Sequence, residues 1–251
     1  MANAFVLAAG EDHARLGRMS GTPFRALIDV AGQPMVQRVL TALRGATRVV
    51  RIAVVAPSQV QERLPPGAAD LALAPGATLL DNVMLGISAL ADDGKMVLFV
   101  HADAPLVTAE AIDDFLAQAE PLEPDLAYAI VAKQEIEKRF PVQHRTYAHL
   151  REGSFTGTNV VLVNADFILR HQALVRDFYK HRKNPLRLAG LLGPGLALRL
   201  LTGTLSIAHL EHRITQALGG KARAIISRYP ELAFDVDKPA DLETLRDILG
   251  Q

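Results

Sequence analysis

Residues 4–10 read Ala-Phe-Val-Leu-Ala-Ala-Gly, a short apolar run closed by a glycine. A run with no polar alternation fits a strand buried on both faces rather than one lying on water. The same grammar recurs outward from it. Pro34–Arg44 sets Met35, Val36, Val39, Leu40 and Leu43 at helical spacing, and Val49–Ala56 is a second strand that stops at Pro57. Leu71–Ala74 is a short third strand. Leu79–Leu90 carries Leu80, Val83, Met84, Ile87 and Leu90 on one helical face; Met96–His101 is a strand, Ala109–Ala119 a helix and Leu126–Ala132 a strand. Strands that alternate with amphipathic helices predict an α/β protein in three layers, α/β/α, with helices on both faces of a mostly parallel sheet.

The second half departs from this alternation. Thr146–Leu150 and Thr158–Val163 read as strands of a different orientation, so the sheet is expected to be mixed. A largely helical insert follows at about 165–218, punctuated by Pro185 and Pro194. The chain then returns to β–α with strands at Ala222–Ser227 and Ala233–Val236 and a helix at Pro239–Leu249, where proline suits the first helical turn. No repeat, low-complexity tract or linker interrupts residues 1–251, so a single domain is expected.

Composition narrows the function. The 251 residues hold 27 basic and 27 acidic side chains, so the chain lacks the global positive charge of a duplex-DNA binder. With nine Phe, four Tyr and no Trp, there is no aromatic-basic ladder for single strands either, and no nucleic-acid partner is expected. The absence of Cys excludes disulfides, zinc-thiolate sites and thiol nucleophiles. No apolar run approaches the ~20 residues of a membrane span. The first residues lack a basic segment before the apolar stretch, so a cytoplasmic, membrane-free location is the expectation.

The candidate chemistry sits in loops. Leu7-Ala8-Ala9-Gly10 leaves the backbone bare, so a base or phosphate can approach its N–H groups. The next residues are neither a G-x-G-x-x-G fingerprint nor a Walker A loop. Arg15, Arg18 and Arg25 bring three guanidinium groups into one stretch; the plain alternative is a strand exit with solvated arginines. Asp103 follows the strand Met96–His101, and the carboxyl ends of strands are where open α/β sheets bind ligands. Asp235 and Asp237 are two apart, so an extended segment points both to one side; alternatively Asp237 caps the helix after it. His209 and His212 lie three apart with no third ligand in view, and no G-x-S-x-G nucleophile elbow is present.

Together these residues resemble a known family. Leu7–Gly10, Arg15, Gly17, Leu27, Val30, Gly32, Pro34 and Met35 match the pattern LAAG-x-G-x-R-M-G followed by K-x-L-L-x-V-x-G-x-P-[ML]. That pattern belongs to nucleotidyltransferases of the Rossmann-like, GT-A-type fold, which include the MobA-like molybdenum-cofactor enzymes and the sugar-phosphate nucleotidyltransferases. Two departures stand out. The loop reaches Arg15 in five residues where four are usual and lacks the second glycine, and Arg25 takes the place of the phosphate-binding lysine. Ala102-Asp103-Ala104-Pro105-Leu106 is similar to the family's G-D-x-P-L, and Asp235-Val236-Asp237-Lys238-Pro239-Ala240-Asp241-Leu242 to its D-[IV]-D-T-P-E-D-L.

The resemblance implies a Mg²⁺-dependent transfer of a nucleotidyl group from an NTP, CTP or GTP favoured, to a small phosphorylated or cofactor acceptor, with release of pyrophosphate. Arg15 and Arg25 are implied to hold the triphosphate beside the catalytic Asp103. Leu7, Ala8, Ala9, Gly10 and Asn82 are implied at the nucleotide, with Asn82 or Asp81 equally a helix cap. Asp103 and Asp237, with Asp235 ranked behind them, are implied as Mg²⁺ ligands. Gly157, Thr158 and Asn159 face the acceptor by the same resemblance. Lys183, within the basic cluster Lys180–Asn184, either meets the acceptor or is solvated. Two other readings stay open at this level: a GT-A glycosyltransferase, against which the LAAG loop and the G-x-P-M turn argue, and a non-catalytic nucleotide-binding module. The Leu-rich segment 186–205 offers a surface for a homodimer.

Overall fold

The computed structural model describes residues 1–11, 16–91, 96–141, 145–181, 199 and 202–250. The opening apolar run forms β1 (Ala2–Leu7), and all six of its residues are buried, as a strand covered on both faces requires. After α1 (Leu16–Ser20), a two-residue hairpin pairs β2 (Asp29–Val30) with β3 (Gln33–Pro34). Both linking residues have positive φ, 53° at Ala31 and 76° at Gly32, as tight hairpin turns demand. The hairpin feeds directly into α2 (Met35–Gly45), so the G-x-P-M stretch is a turn followed by a helix start.

The chain continues through β4 (Val49–Val55), α3 (Ser58–Gln61), β5 (Leu71–Leu73), α4 (Leu79–Ala89), β6 (Met96–His101), α5 (Ala109–Ala119) and β7 (Leu126–Ala132). It ends with α6 (Lys133–Arg139), β8 (Ala148–Leu150), β9 (Gly153–Asn164), α7 (Ala165–Arg170), α8 (Gln172–His181), α9 (Ile207–Leu218), β10 (Ala222–Ser227) and α10 (Pro239–Leu249). The sheet runs in the order β10-β7-β9-β6-β1-β4-β5, with β8 paired to β9. β9 is antiparallel to β6, β7 and β8, whereas the remaining pairs are parallel. The fold is therefore α/β with a mixed, mostly parallel sheet.

One sheet face packs Val6, Val54, Leu98 and Val100 against Val39, Leu40, Ile112 and Phe115 of α2 and α5. The other packs Phe5, Val55 and Val97 against Leu80, Met84 and Ile87 of α4 and against Phe167, Ile168 and Leu218. A third cluster joins Leu16, Ile28, Val30 and Met35 to Phe234, Val236, Leu242 and Leu245. It sews the end of the chain onto the first loop, away from the sheet. No helix among the described residues is long and apolar enough to cross a membrane.

Three expectations need correction. Residues 233–236 form no strand: Pro230–Ala233 is a 3-10 turn and the segment after it is extended but unladdered. Its Val236 N–H instead donates to the Asp103 carbonyl at 3.0 Å. The strand expected from Thr158 begins earlier, at Gly153, because Phe155, Thr156 and Gly157 pair across to β7. The strand expected from Thr146 begins only at Ala148. Much of the Leu-rich segment, and Lys183 and Arg15 with it, lies outside the described residues.

Close packing of α4 on β1 rests on Gly86, where a Cβ would lie 2.4 Å from Cδ2 of Phe5. Gly86→Ala is expected to destabilise the protein by about 1–3 kcal/mol through overpacking, despite alanine's better helix propensity. Urea denaturation would measure it.

Candidate active site

β1 has β4 on one side and β6 on the other, so the strand order reverses at its carboxyl end, the usual ligand position in such sheets. In the register, Leu7 faces Val55 and His101. Beyond that level the Ala8 N–H donates to the Val55 carbonyl at 2.9 Å, and the Ala102 N–H to the Leu7 carbonyl at 3.1 Å. These bonds extend the ladder by one residue, then release Ala9 and Gly10 on one side and Asp103 on the other. Between them opens a cavity of about 810 Å³, bordered by Leu7, Ala8, Ala9, Gly10, Arg25 and Asn82. Asp103, Asp235 and Asp237 line its opposite side, together with Asn159.

Arg25 is the meeting point of three segments. Its backbone N–H donates to the Gly10 carbonyl at 3.2 Å. Its guanidinium lies 3.3 Å from the Asp103 carboxylate, donates to the Val236 carbonyl at 2.6 Å and pairs with the Asp237 carboxylate. The local sequence explains the delivery of the aspartates. Phe234 and Val236 are fully buried in the third apolar cluster, so the alternate residues Asp235 and Asp237 turn to the cavity. Asp237 does not cap the helix after it. Asp241 does, accepting from the N–H groups of Asp237 and Lys238 at 3.0 and 2.8 Å.

Asp103 keeps one oxygen, Oδ1, buried with no hydrogen-bond donor among the described residues. A buried carboxylate oxygen without a donor is costly unless a ligand or cation serves it. Among the described residues no three His, Asp or Glu side chains converge into a complete metal cage.

Sequence reasoning missed Arg145. It pairs with Asp235 from 90 residues away and donates to Thr156 Oγ1 at 3.3 Å. Nothing near it in the sequence marks it, because its partner is supplied by the fold alone. Burial pushes the Asp235 carboxyl above the usual carboxylate range; Arg145 opposes the rise, and the Asp237 and Asp103 charges add to it.

Asn82 reaches the cavity, yet it serves the loop before α4: its Oδ1 accepts from the Gly76 N–H at 2.6 Å. Neither it nor Asp81 is the cap. Thr78 is, accepting from the Asp81 N–H at 3.1 Å. The Asp81 carboxylate turns outward to Arg176 at 3.0 Å, and hydrogen bonds from Thr78 and Arg176 hold its carboxyl below the usual range. The loop Pro75–Thr78 and His101, neither predicted as site residues, also border the cavity. Gly157, Thr158 and Asn159 line a second cavity of about 390 Å³ that shares Asn159, Asp235 and Asp237 with the first. His209 lies on α9 with His212.

Residues 4–229 match the MobA-like NTP transferase domain. The chain belongs to that family. The match stops short of Asp235 and Asp237. A structure described as a hypothetical transferase from Thermus thermophilus is 37% identical, with a TM-score of 0.85 over 96% of this chain and 100% of that one. A 2-C-methyl-D-erythritol 4-phosphate cytidylyltransferase of Frankia casuarinae is 36% identical over 112 residues, 44% of this chain. The chain therefore spans 41% of that relative's length. A 4-diphosphocytidyl-2C-methyl-D-erythritol synthase structure from Anaerococcus prevotii shares the fold, with a TM-score of 0.62 at 11% identity over 100% of this chain and 96% of that one. The MobA-like domain is thus a nucleotidyltransferase domain whose switch-point cavity is the candidate active site.

A raised carboxyl pKa means that the folded MobA-like domain holds the Asp235 proton more tightly than the unfolded chain does. The ionised carboxylate then costs stability, and the cost grows as pH rises from the ordinary value of 3.8 through the folded one. Asp235→Asn is expected to raise the melting temperature by a few degrees at about pH 7, the gain shrinking toward about pH 4. Thermal denaturation at the two pH values would test it.

Proposed function

We propose that this MobA-like domain transfers a nucleotidyl group from an NTP, CTP foremost, to a small acceptor and releases pyrophosphate. The carrying observation is Arg25, a guanidinium set between Asp103 and Asp237 at the rim of the switch-point cavity, facing the bare backbone of Ala8–Gly10. The preference for CTP draws on the cytidylyltransferase named among the relatives. In the reaction an acceptor oxygen bonds to the α-phosphorus. The bond from that phosphorus to the bridging pyrophosphate oxygen breaks, and any proton on the acceptor oxygen passes to water.

The residues fit a hard divalent cation. The donor set is all oxygen, Asp103 holds a buried oxygen with no donor, and Mg²⁺ is commonly held by one or two carboxylates with substrate phosphates completing its shell. Asp103 and Asp237 would hold it, with Asp235 behind them. When bound, Mg²⁺ supplies charge neutralisation at the phosphates.

The chain's own residues then position the reactants. The Ala8–Gly10 backbone accepts close approach of the nucleotide, because no side chain larger than a methyl stands in the way. Arg25 can exchange its carboxylate partners for phosphate oxygens, which suit the same forked donors. Arg15 is proposed at the triphosphate on the resemblance alone. Asn82 acts by holding the Gly76 loop against the nucleotide side of the cavity. No side chain need form a covalent bond, since phosphoryl-type transfer is run by positioning and charge.

A thermal-shift series with each NTP and Mg²⁺ should stabilise the protein most with CTP; no shift with any NTP would sink the nucleotide reading. Asp103→Ala is expected to cut pyrophosphate release by about 100-fold or more while the protein still melts cooperatively. Chelation by EDTA should abolish release, and added Mg²⁺ should restore it.

A further inference from the structure

We infer that Asp81 and Arg176 are positioning residues for the nucleotide. They brace the loop Pro75–Leu79 from outside the cavity, so that the helical insert helps set how tightly the nucleoside end is held. This rests on the nucleotidyltransferase reading above and extends it to residues that touch no substrate.

The cavity divides by charge. Arg25, Asp103 and Asp237 gather on one part of its rim, where a polyphosphate and its cation belong. The loop Pro75–Leu79 also borders the cavity and carries no charged side chain. That part of the rim is left for the base and ribose, which bind by shape and by neutral hydrogen bonds.

The loop owes its shape to the first turn of α4. Residues 74–78 belong to no helix or strand. The Gly76 N–H donates to Asn82 Oδ1 at 2.6 Å, and the Thr78 carbonyl accepts from the Asn82 N–H at 3.0 Å. Asp81 adds two more bonds. Its N–H donates to Thr78 Oγ1 at 3.1 Å, and the Thr78 hydroxyl donates to its Oδ2 at 2.7 Å. A Cβ on Gly76 would stand 3.1 Å from the Cβ of Asp81, so the loop lies directly against this residue. Neither Asp81 nor Arg176 borders the cavity itself.

The brace continues into the insert. Asp81 Oδ1 accepts from Arg176 of α8 at 3.0 Å, so one carboxylate is divided between the loop and a helix 95 residues away. That helix is seated beside α4: Leu174 and Val175 pack into the apolar cluster that holds Leu80 and Met84. An arginine on a helix anchored in this way has less freedom to lose on pairing than one on a free loop. The Arg176 and Asp81 side chains are 47% and 35% exposed, so the pair is worth a few-fold in affinity and weakens with salt.

The test titrates the full chain, with Mg²⁺, by calorimetry with CTP, GTP, ATP and UTP, and carries forward the one bound tightest. Arg176→Ala should raise its Kd about threefold and Asp81→Ala about tenfold. Asp81→Asn keeps a bond to Thr78 and loses the ion pair, so it should match Arg176→Ala. It also stands in for Asp81→Ala if that variant does not fold. Adding Arg176→Ala to Asp81→Ala should raise Kd no further, because the arginine acts through the carboxylate. In about 1 M salt the deficit of Arg176→Ala should vanish. Tripolyphosphate should displace the NTP with the same inhibition constant in wild type and variants, since it engages only the charged part of the rim. Unchanged NTP Kd values in both single variants, or additive losses in the double variant, overturn the inference. So does tripolyphosphate that weakens in step with the NTP or fails to displace it. Wild-type binding separates the two failures: if an NTP binds and the variants bind it equally well, only the brace falls, and if none binds, the nucleotidyltransferase reading falls first.

Discussion

The site depends on one cation set between two carboxylates, Asp103 and Asp237. Arg25 joins the loop after β1, the loop after β6 and the segment before α10, and it is the contact through which all three become one surface. Carboxylates this close repel one another, and the rise in the Asp235 carboxyl pKa registers that repulsion on top of burial. Arg25 at Asp103 and Asp237, and Arg145 at Asp235, offset the cost. The domain thus holds its clustered carboxylates paired with arginines.

The third apolar cluster makes this arrangement possible. Phe234 and Val236 are buried against Ile28, Val30 and Met35, and α10 covers them with Leu242 and Leu245. The extended segment has no ladder partner among the described residues, so its direction is set by side-chain burial, by the Val236–Asp103 backbone bond and by the bonds its carbonyls accept from Arg25 and Asn159. Hydrophobic burial, which has no direction of its own, here acquires one through the alternation of the chain. The same economy appears at β9, which runs against the sheet's prevailing direction and brings Gly157, Thr158 and Asn159 to the edge of the cavity.

Much of this was legible in the order of residues. Apolar runs bounded by glycine and proline located most of the strands, and helical periodicity located α2, α4, α5 and α10 to within a residue or so. Thr108 caps α5, its hydroxyl accepting from the Ala111 N–H at 3.2 Å. Of the residues brought together around the first cavity, Asp103 was visible as a carboxylate past a strand end, Arg25 as one of a group of arginines, and Asp235 and Asp237 as an alternating pair. Less legible were features created by distant partners. Arg145 has no local signal. Asn82 looks like a ligand-side amide, yet its oxygen is spent on the Gly76 N–H. Residues 233–236 look like a strand because strand and unpaired extended backbone share the same alternation, and only a neighbour distinguishes them.

The sequence by itself determined the class of fold, the bare first loop and the supply of arginines and aspartates, because periodicity and residue type are local properties. Tertiary structure decided the rest. It chose which aspartates face one another and which arginine neutralises each of them. Those choices depend on strand order and on contacts between residues as far apart as 25 and 237, and no spacing along the chain encodes them.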